Sequence, residues 1–142
     1  MYRHTQVGTW VIFLAGSAAV ALFISGLLLH GIQFYLIAIC LILALALFGS
    51  LTIIGDNDEL AFHFGIGGIK RRFRYNNLQS IRKVRNKWYW GWGIRWFGRG
   101  WLYNVSGLDA VELILKSGKV VRIGTDDPDS LLRFVENRLN AK

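Results

Sequence analysis

Hydrophobic and polar positions change their rhythm near residue 50. Before it, apolar residues run on without a period. "TWVIFLAGSAAVALFISGLLL" spans Thr9 to Leu29 and "FYLIAICLILALALFGS" spans Phe34 to Ser50, with "HGIQ" between them. The first run is long enough to cross a hydrocarbon core of roughly 30 Å as a helix, and the second lies near the lower limit. Neither carries the polar stripe of a soluble amphipathic helix. A secretory signal is a single apolar stretch of about 7 to 15 residues, a poor match to two consecutive runs. The pattern therefore predicts a transmembrane helical hairpin over residues 1–50, with spans at about 9–29 and 34–50. "LTII" at Leu51 to Ile54 either extends the second helix or begins the next domain. Ser17, Ala21 and Ser25 recur every four residues, a small-residue stripe suited to close helix packing.

Beyond residue 50 the period is two. Leu60, Phe62 and Phe64 oppose Glu59, Ala61 and His63; after the turn "IGG", Ile69, Phe73 and Tyr75 oppose Lys70, Arg72 and Arg74. Val111, Leu113 and Leu115 share a further face, and Ser117-Gly118 turns that strand into "KVVRIG". The final segment changes period again. Asp127 stands as N-cap, Pro128 opens the helix and Asp129 sits in its first turn, with Leu131, Leu132, Val135 and Leu139 on one face. Short antiparallel strands closed by one amphipathic helix at about 128–140 make an α+β β-roll or barrel over residues 51–142.

Charge follows the same division. Between Arg3 and Asp56 there is no Asp, Glu, Lys or Arg; the rest of the chain holds 16 of its 17 basic and all 9 of its acidic residues. Arg3 precedes the first span, Lys70 to Arg74 follow the second, and the connecting loop has no basic residue. Both termini are thus expected in the cytoplasm. Cys40 is the only cysteine, so no intrachain disulfide and no cysteine-type zinc site can form.

Ten basic residues fall between Lys70 and Arg99 with no acidic residue among them. Lys70, Arg72, Arg74, Arg82 and Lys83 are candidates for contact with anionic lipid headgroups, worth about 1 kcal/mol each near a charged leaflet. A plain solvated face accounts for them as well, and a nucleic-acid groove is disfavoured because the membrane anchor already explains a basic excess. "WYWGWGIRWFGRGW", from Trp88 to Trp101, holds five of the six tryptophans. Gly91 and Gly93 weaken any strand there, so a glycine-broken loop is expected, with the strand resuming near Gly100 and Trp101 in the core. Trp88, Trp90, Trp92 and Trp96 either fold over the barrel, lie at the membrane interface beside Arg95 and Arg99, or meet another membrane protein or a second copy.

"IKRRFRYNNLQSI", "GWGIR", "GWLYNVSG", "AVELILKSGK" and "IGTDDP", followed by a closing helix, together resemble the bacterial pleckstrin-homology-like (PH-like) domain. The resemblance is closest to short membrane proteins that place two spans before it. It implies a strongly bent antiparallel sheet of about seven strands plugged by the C-terminal helix, with "SLTII" as the first strand, and a bacterial cytoplasmic (inner) membrane. It assigns no biochemical activity.

Catalytic signatures are weak. His4, His30 and His63 are scattered, Ser106 lacks a nucleophile elbow, and "FGIGGIK" precedes a strand where a phosphate cradle precedes a helix. Asp126, Asp127 and Asp129 read as a helix start before a metal site, and "GDNDE" as a hairpin turn before a calcium loop. Neither a cofactor nor a metal is expected. The reading is a non-enzymatic interaction module at the leaflet, binding a protein partner or anionic lipid. An enzyme or transport-accessory subunit with an unrecognised site is the alternative.

Overall fold

The computed structural model describes residues 1–141. The chain opens with a strand, β1 (Tyr2–Val7), and only then enters the helices α1 (Thr9–Leu29) and α2 (Ile32–Phe48). Nothing in the hydrophobic pattern announces β1, because its inward positions are Tyr2, His4 and Gln6. Tyr2 packs on the ring of Phe134, His4 Nε2 lies 2.5 Å from Asp126 Oδ1, and Gln6 Nε2 donates to the Ser106 carbonyl at 2.9 Å.

His30, in the left-handed region at φ 53°, ends α1 and turns the chain into α2. The helices meet through small residues, Ala19 and Gly26 on α1 and Ala38 on α2, with Gly26 packed beneath the ring of Tyr35. The contact line follows residues 15, 19, 22 and 26, the alternating four-three spacing that a helix of 3.6 residues per turn requires. The expected stripe lies off this line. Ser17 and Ala21 are exposed, and the Ser17 and Ser25 hydroxyls bond back to the carbonyls of Phe13 and Ala21. Among the described residues only α1, at 21 residues, is long and apolar enough to cross a membrane; α2, at 17, is shorter.

Gly49 ends α2 and β2 (Ser50–Gly55) begins at once, so "LTII" is strand and the hairpin's last helical residue is Phe48. β2 is the second strand of its sheet, with β1 before it. It pairs antiparallel with β1, Val7 opposite Ser50, so the two strands flanking the helices lie side by side. β3 (Glu59–Phe64) and β4 (Ile69–Arg74) complete a four-stranded antiparallel sheet in sequence order. Asp56 makes the β2–β3 turn by accepting the amides of Asp58 and Glu59, which holds its carboxyl below the usual range.

The second sheet contains β5 (Leu78–Arg85), β6 (Gly93–Trp96), β7 (Gly100–Asn104), β8 (Asp109–Leu115) and β9 (Val120–Gly124), in the order β5-β8-β9-β7-β6. This makes nine strands in two sheets among the described residues, and one pair is parallel, β7 with β9. The cause is the short connection from β7 to β8, which run in opposite directions with one strand's width between them. β9 fills that gap as the hairpin partner of β8, so it must run parallel to β7.

The inner faces enclose Leu51, Ile53, Leu60, Phe62, Phe64, Val111, Leu113 and Ile123, all nearly inaccessible. α3 (Pro128–Asn140) closes the seam beside β5, with Leu131 and Val135 fully buried. Asp127 caps it, accepting the Ser130 amide at 3.3 Å. The sheets are layered relative to the helices. β5 begins three residues after β4, at the far end, where the Tyr75 amide bonds the Asp58 carbonyl. β7 ends at the near end, with Val105 against Gly8 and Tyr103 beside Phe64, whose ring meets Phe48. Along β1, from the far end to the near, Tyr2 meets Phe134 of α3, His4 meets Asp126 just after β9, and Gln6 meets Ser106 just after β7, so β6, outside β7, is the edge on the helices' side.

Candidate functional site

The tryptophan-rich stretch is neither loop throughout nor strand throughout. Trp88–Trp90 form one tight helical turn; Gly91 and Gly93, at φ 69° and 97°, then swing the chain into β6. This path crosses the outer face of the second sheet, where a cross-strand row runs Arg82, Glu112, Arg122, Leu102, Arg95. Trp90 stacks on Phe97 at 5.4 Å, and the Arg122 guanidinium lies against both rings, 5.2 and 4.5 Å from their centroids. Beneath them Glu112 is fully buried. It accepts Arg122 Nε at 2.6 Å and Arg82 Nε at 2.8 Å, a second bond from Arg82 Nη2, and has Arg99 at 4.0 Å. Burial pushes the Glu112 carboxyl up, but the hydrogen bonds and charges of Arg122 and Arg82 outweigh it and hold the carboxyl below its ordinary value. Trp90 and Arg82 thus belong to a structural cluster that fastens the loop to the sheet.

The other anticipated residues divide by position. Lys83 Nζ reaches Asp129 at 2.8 Å, tying β5 to the start of α3. Arg72 pairs with Glu59 at 3.5 Å on the outer face of β4, which it shares with exposed Lys70 and Arg74. Lys70 lies at the helix end of that face, because the adjoining turn at Gly65–Gly68 packs on Ala46 and Leu47 of α2. Arg95 Nε bonds the Trp92 carbonyl at 3.3 Å. Trp88, at 80% exposed, and Trp92 and Trp96 keep their rings largely in solvent.

Between the open edge of β4 and the strand ends of the second sheet lies a groove of about 830 Å³. One wall is Arg71, Arg72, Phe73 and Arg74, and the other runs from Trp96, Arg99 and Trp101 to Val121 and Lys119. Trp96 and Trp101 are cross-strand partners, edge to face at 5.6 Å. Trp101 shares the inward phase of Tyr103, but the first sheet does not reach over it. It is 47% exposed, a groove wall where a core residue was expected. Arg71, Arg74 and Lys119 have no ion-pair partner among the described residues. Arg71 and Lys119 were not anticipated, and for Arg71 the signal was present. It occupies the apolar phase of β4, between Ile69 and Phe73, where a cation is out of place unless it faces an opening.

Elsewhere the polar groups have structural duties. Asp126 meets His4 and Asp129 meets Lys83, and no group of three or more His, Cys, Asp or Glu suited to a metal occurs among the described residues. Burial, helped by the nearby carboxylates, pushes the Tyr2 and Tyr75 phenols up to about 12, so both stay neutral. No family model matches the chain, and no curated protein matches it.

Proposed function

We propose that the chain is a non-enzymatic interaction module of a bacterial cytoplasmic membrane. A two-span hairpin anchors it with both termini in the cytoplasm, and a PH-like domain offers the groove to an anionic partner at the leaflet. The observation that carries this reading is the groove's lining: aromatic surface from Phe73, Trp96 and Trp101, and three cations without an ion-pair partner among the described residues. Such a site favours a ligand that is negative and partly apolar. The two-span reading is supported by the pairing of β1 with β2, which returns the chain to its point of departure; α2, about 26 Å as a helix, stands at the lower limit of a span. The cytoplasmic placement is supported by the basic residues that crowd the polar domain and avoid the interhelical turn.

The position of β6 favours a second, compatible contact. Its edge lies toward the helices with Trp92, Trp96 and Arg95 exposed, a combination suited to the headgroup region. Here the domain would rest on anionic lipid.

The groove reading is tested with fluorotryptophan-labelled protein in nanodiscs, each resonance assigned by single substitution. Adding polyglutamate or soluble short-chain phosphatidylglycerol is expected to shift the Trp96 and Trp101 signals while leaving Trp90 in place. The shift weakens with salt and disappears in Arg71→Glu/Arg99→Glu. Absence of any shift with either anion sinks the reading.

A further inference from the structure

The groove opens along a backbone edge as well as against side chains. Among the described residues β4 pairs only with β3. Four successive residues of β4, Arg71 to Arg74, line the cavity, and neighbouring positions on a strand point to opposite faces. A cavity touching all four must therefore run along the strand's open edge. Such an edge presents unpaired amides and carbonyls that a second chain can satisfy.

Charge selects the kind of chain. Arg71 and Arg74 stand on β4 itself and Lys119 on the opposite wall, each without a carboxylate partner among the described residues. Glu59 is the groove's only acidic residue, and Arg72 already engages it. Phe73 and the Trp96–Trp101 pair supply the apolar surface between the cations. The chain's own acidic segments are occupied: Asp56 closes the β2–β3 turn, while Asp126, Asp127 and Asp129 bond His4, Ser130 and Lys83. Charge complementarity points to a strand from a partner protein.

We propose that β4 accepts an acidic, extended segment of a partner protein as a fifth strand of the first sheet. Its carboxylates meet Arg71, Arg74 and Lys119, and an apolar side chain enters between Phe73, Trp96 and Trp101. This deepens the anionic-partner reading of the preceding subsection and rests on it. A phospholipid satisfies the same cations but has no row of amides to pair with the edge, and this difference separates the two ligands experimentally.

The test uses the full chain in zwitterionic nanodiscs. It is screened against an array of peptides of about six residues, a usual strand length, that place glutamate or aspartate at positions of both phases among valine, isoleucine and phenylalanine. Affinities of the strongest binders are then measured by fluorescence anisotropy. Replacing the acids by their amides is expected to weaken binding by roughly tenfold or more. Methylating alternate backbone nitrogens, in both phases, should weaken it comparably in one phase, because a methylated amide cannot pair with the edge. Arg71→Glu should reverse the preference for acidic peptides, with far-UV circular dichroism confirming that the variant is folded. Lys70→Glu, on the outer face, serves as the control for long-range charge and should have the smaller effect.

Three results overturn the proposal. If methylation leaves affinity intact in both phases, the edge is not pairing. If no acidic peptide binds while short-chain phosphatidylglycerol does so in an Arg71-dependent way, the ligand is a lipid; the strand proposal falls and the anionic groove stands. If neither peptide nor lipid binds, both readings fall together.

Discussion

Glu112 is a fully buried carboxylate, surrounded by guanidinium groups and roofed by Trp90 and Phe97. Removing one member of such a cluster leaves a buried charge without its counterpart, which costs about 3 to 5 kcal/mol. Glu112→Gln keeps the shape but not the charge, and is expected to lower stability by about 3 kcal/mol in urea unfolding followed by far-UV circular dichroism in micelles. The same variant has a pH signature. The folded-state pKa of Glu112 is depressed, so its contribution is full above the unfolded value of about 4.3 and is lost as pH falls through the folded one. Wild-type stability should drop over that acid window, and the drop should be shallower in Glu112→Gln. Trp90→Ala uncovers Arg122 and should cost about 2 kcal/mol, whereas Trp88→Ala, with its ring in solvent, should be within about 0.5 kcal/mol of wild type by the same assay.

At the scale of elements, the parallel pairing of β7 with β9 depends on a close approach at Gly100, where a Cβ would overlap the Val120 carbonyl. Gly100→Ala should therefore cost about 2 kcal/mol or more. It should also broaden the Trp96 and Trp101 resonances, since both flank the displaced backbone. The elements most legible in the sequence were those whose inward positions are apolar: β3, β4, β8 and α3 follow from Phe62, Phe73, Leu113 and Leu131 alone. β1 was hidden because Tyr2, His4 and Gln6 carry its inward phase, and β6 because it is four residues long and opens on a left-handed glycine, too short to set a period. Period also names a face without saying what will cover it. Glu112 lay in the outward phase of its strand and is buried by a loop; Trp101 lay in the inward phase and is left half open. The candidate site was legible as chemistry, a basic and aromatic cluster, but not as geometry. Its assembly depends on how far one sheet extends over the other, which no local pattern encodes.

For the molecule as a whole, the proposed membrane placement and the second sheet's layering together predict an uneven distribution of tryptophans relative to the bilayer. In liposomes containing brominated lipid, the Trp10→Phe protein should lose fluorescence chiefly from Trp92 and Trp96 on the β6 edge, and little from Trp90 under its stack. Anionic lipid should strengthen the quenching, salt should reduce it, and Arg95→Glu should lessen it at fixed salt. Uniform quenching of all the indoles, or none, would show that the domain does not rest on β6.

The helical hairpin is spliced into a β-sheet. It leaves after Val7 and returns at Ser50, two residues that face each other across a strand pair, through single-residue joints at Gly8 and Gly49. A domain joined to its anchor by one linker can swivel and wander. This one is held at two adjacent points by a hydrogen-bonded ribbon, so a torque on the helices acts on β2, β3 and ultimately β4. Tilting or rotation of the helix pair, from a thickness change in the bilayer or from a neighbouring helix, would be transmitted as twist to the strand that borders the groove.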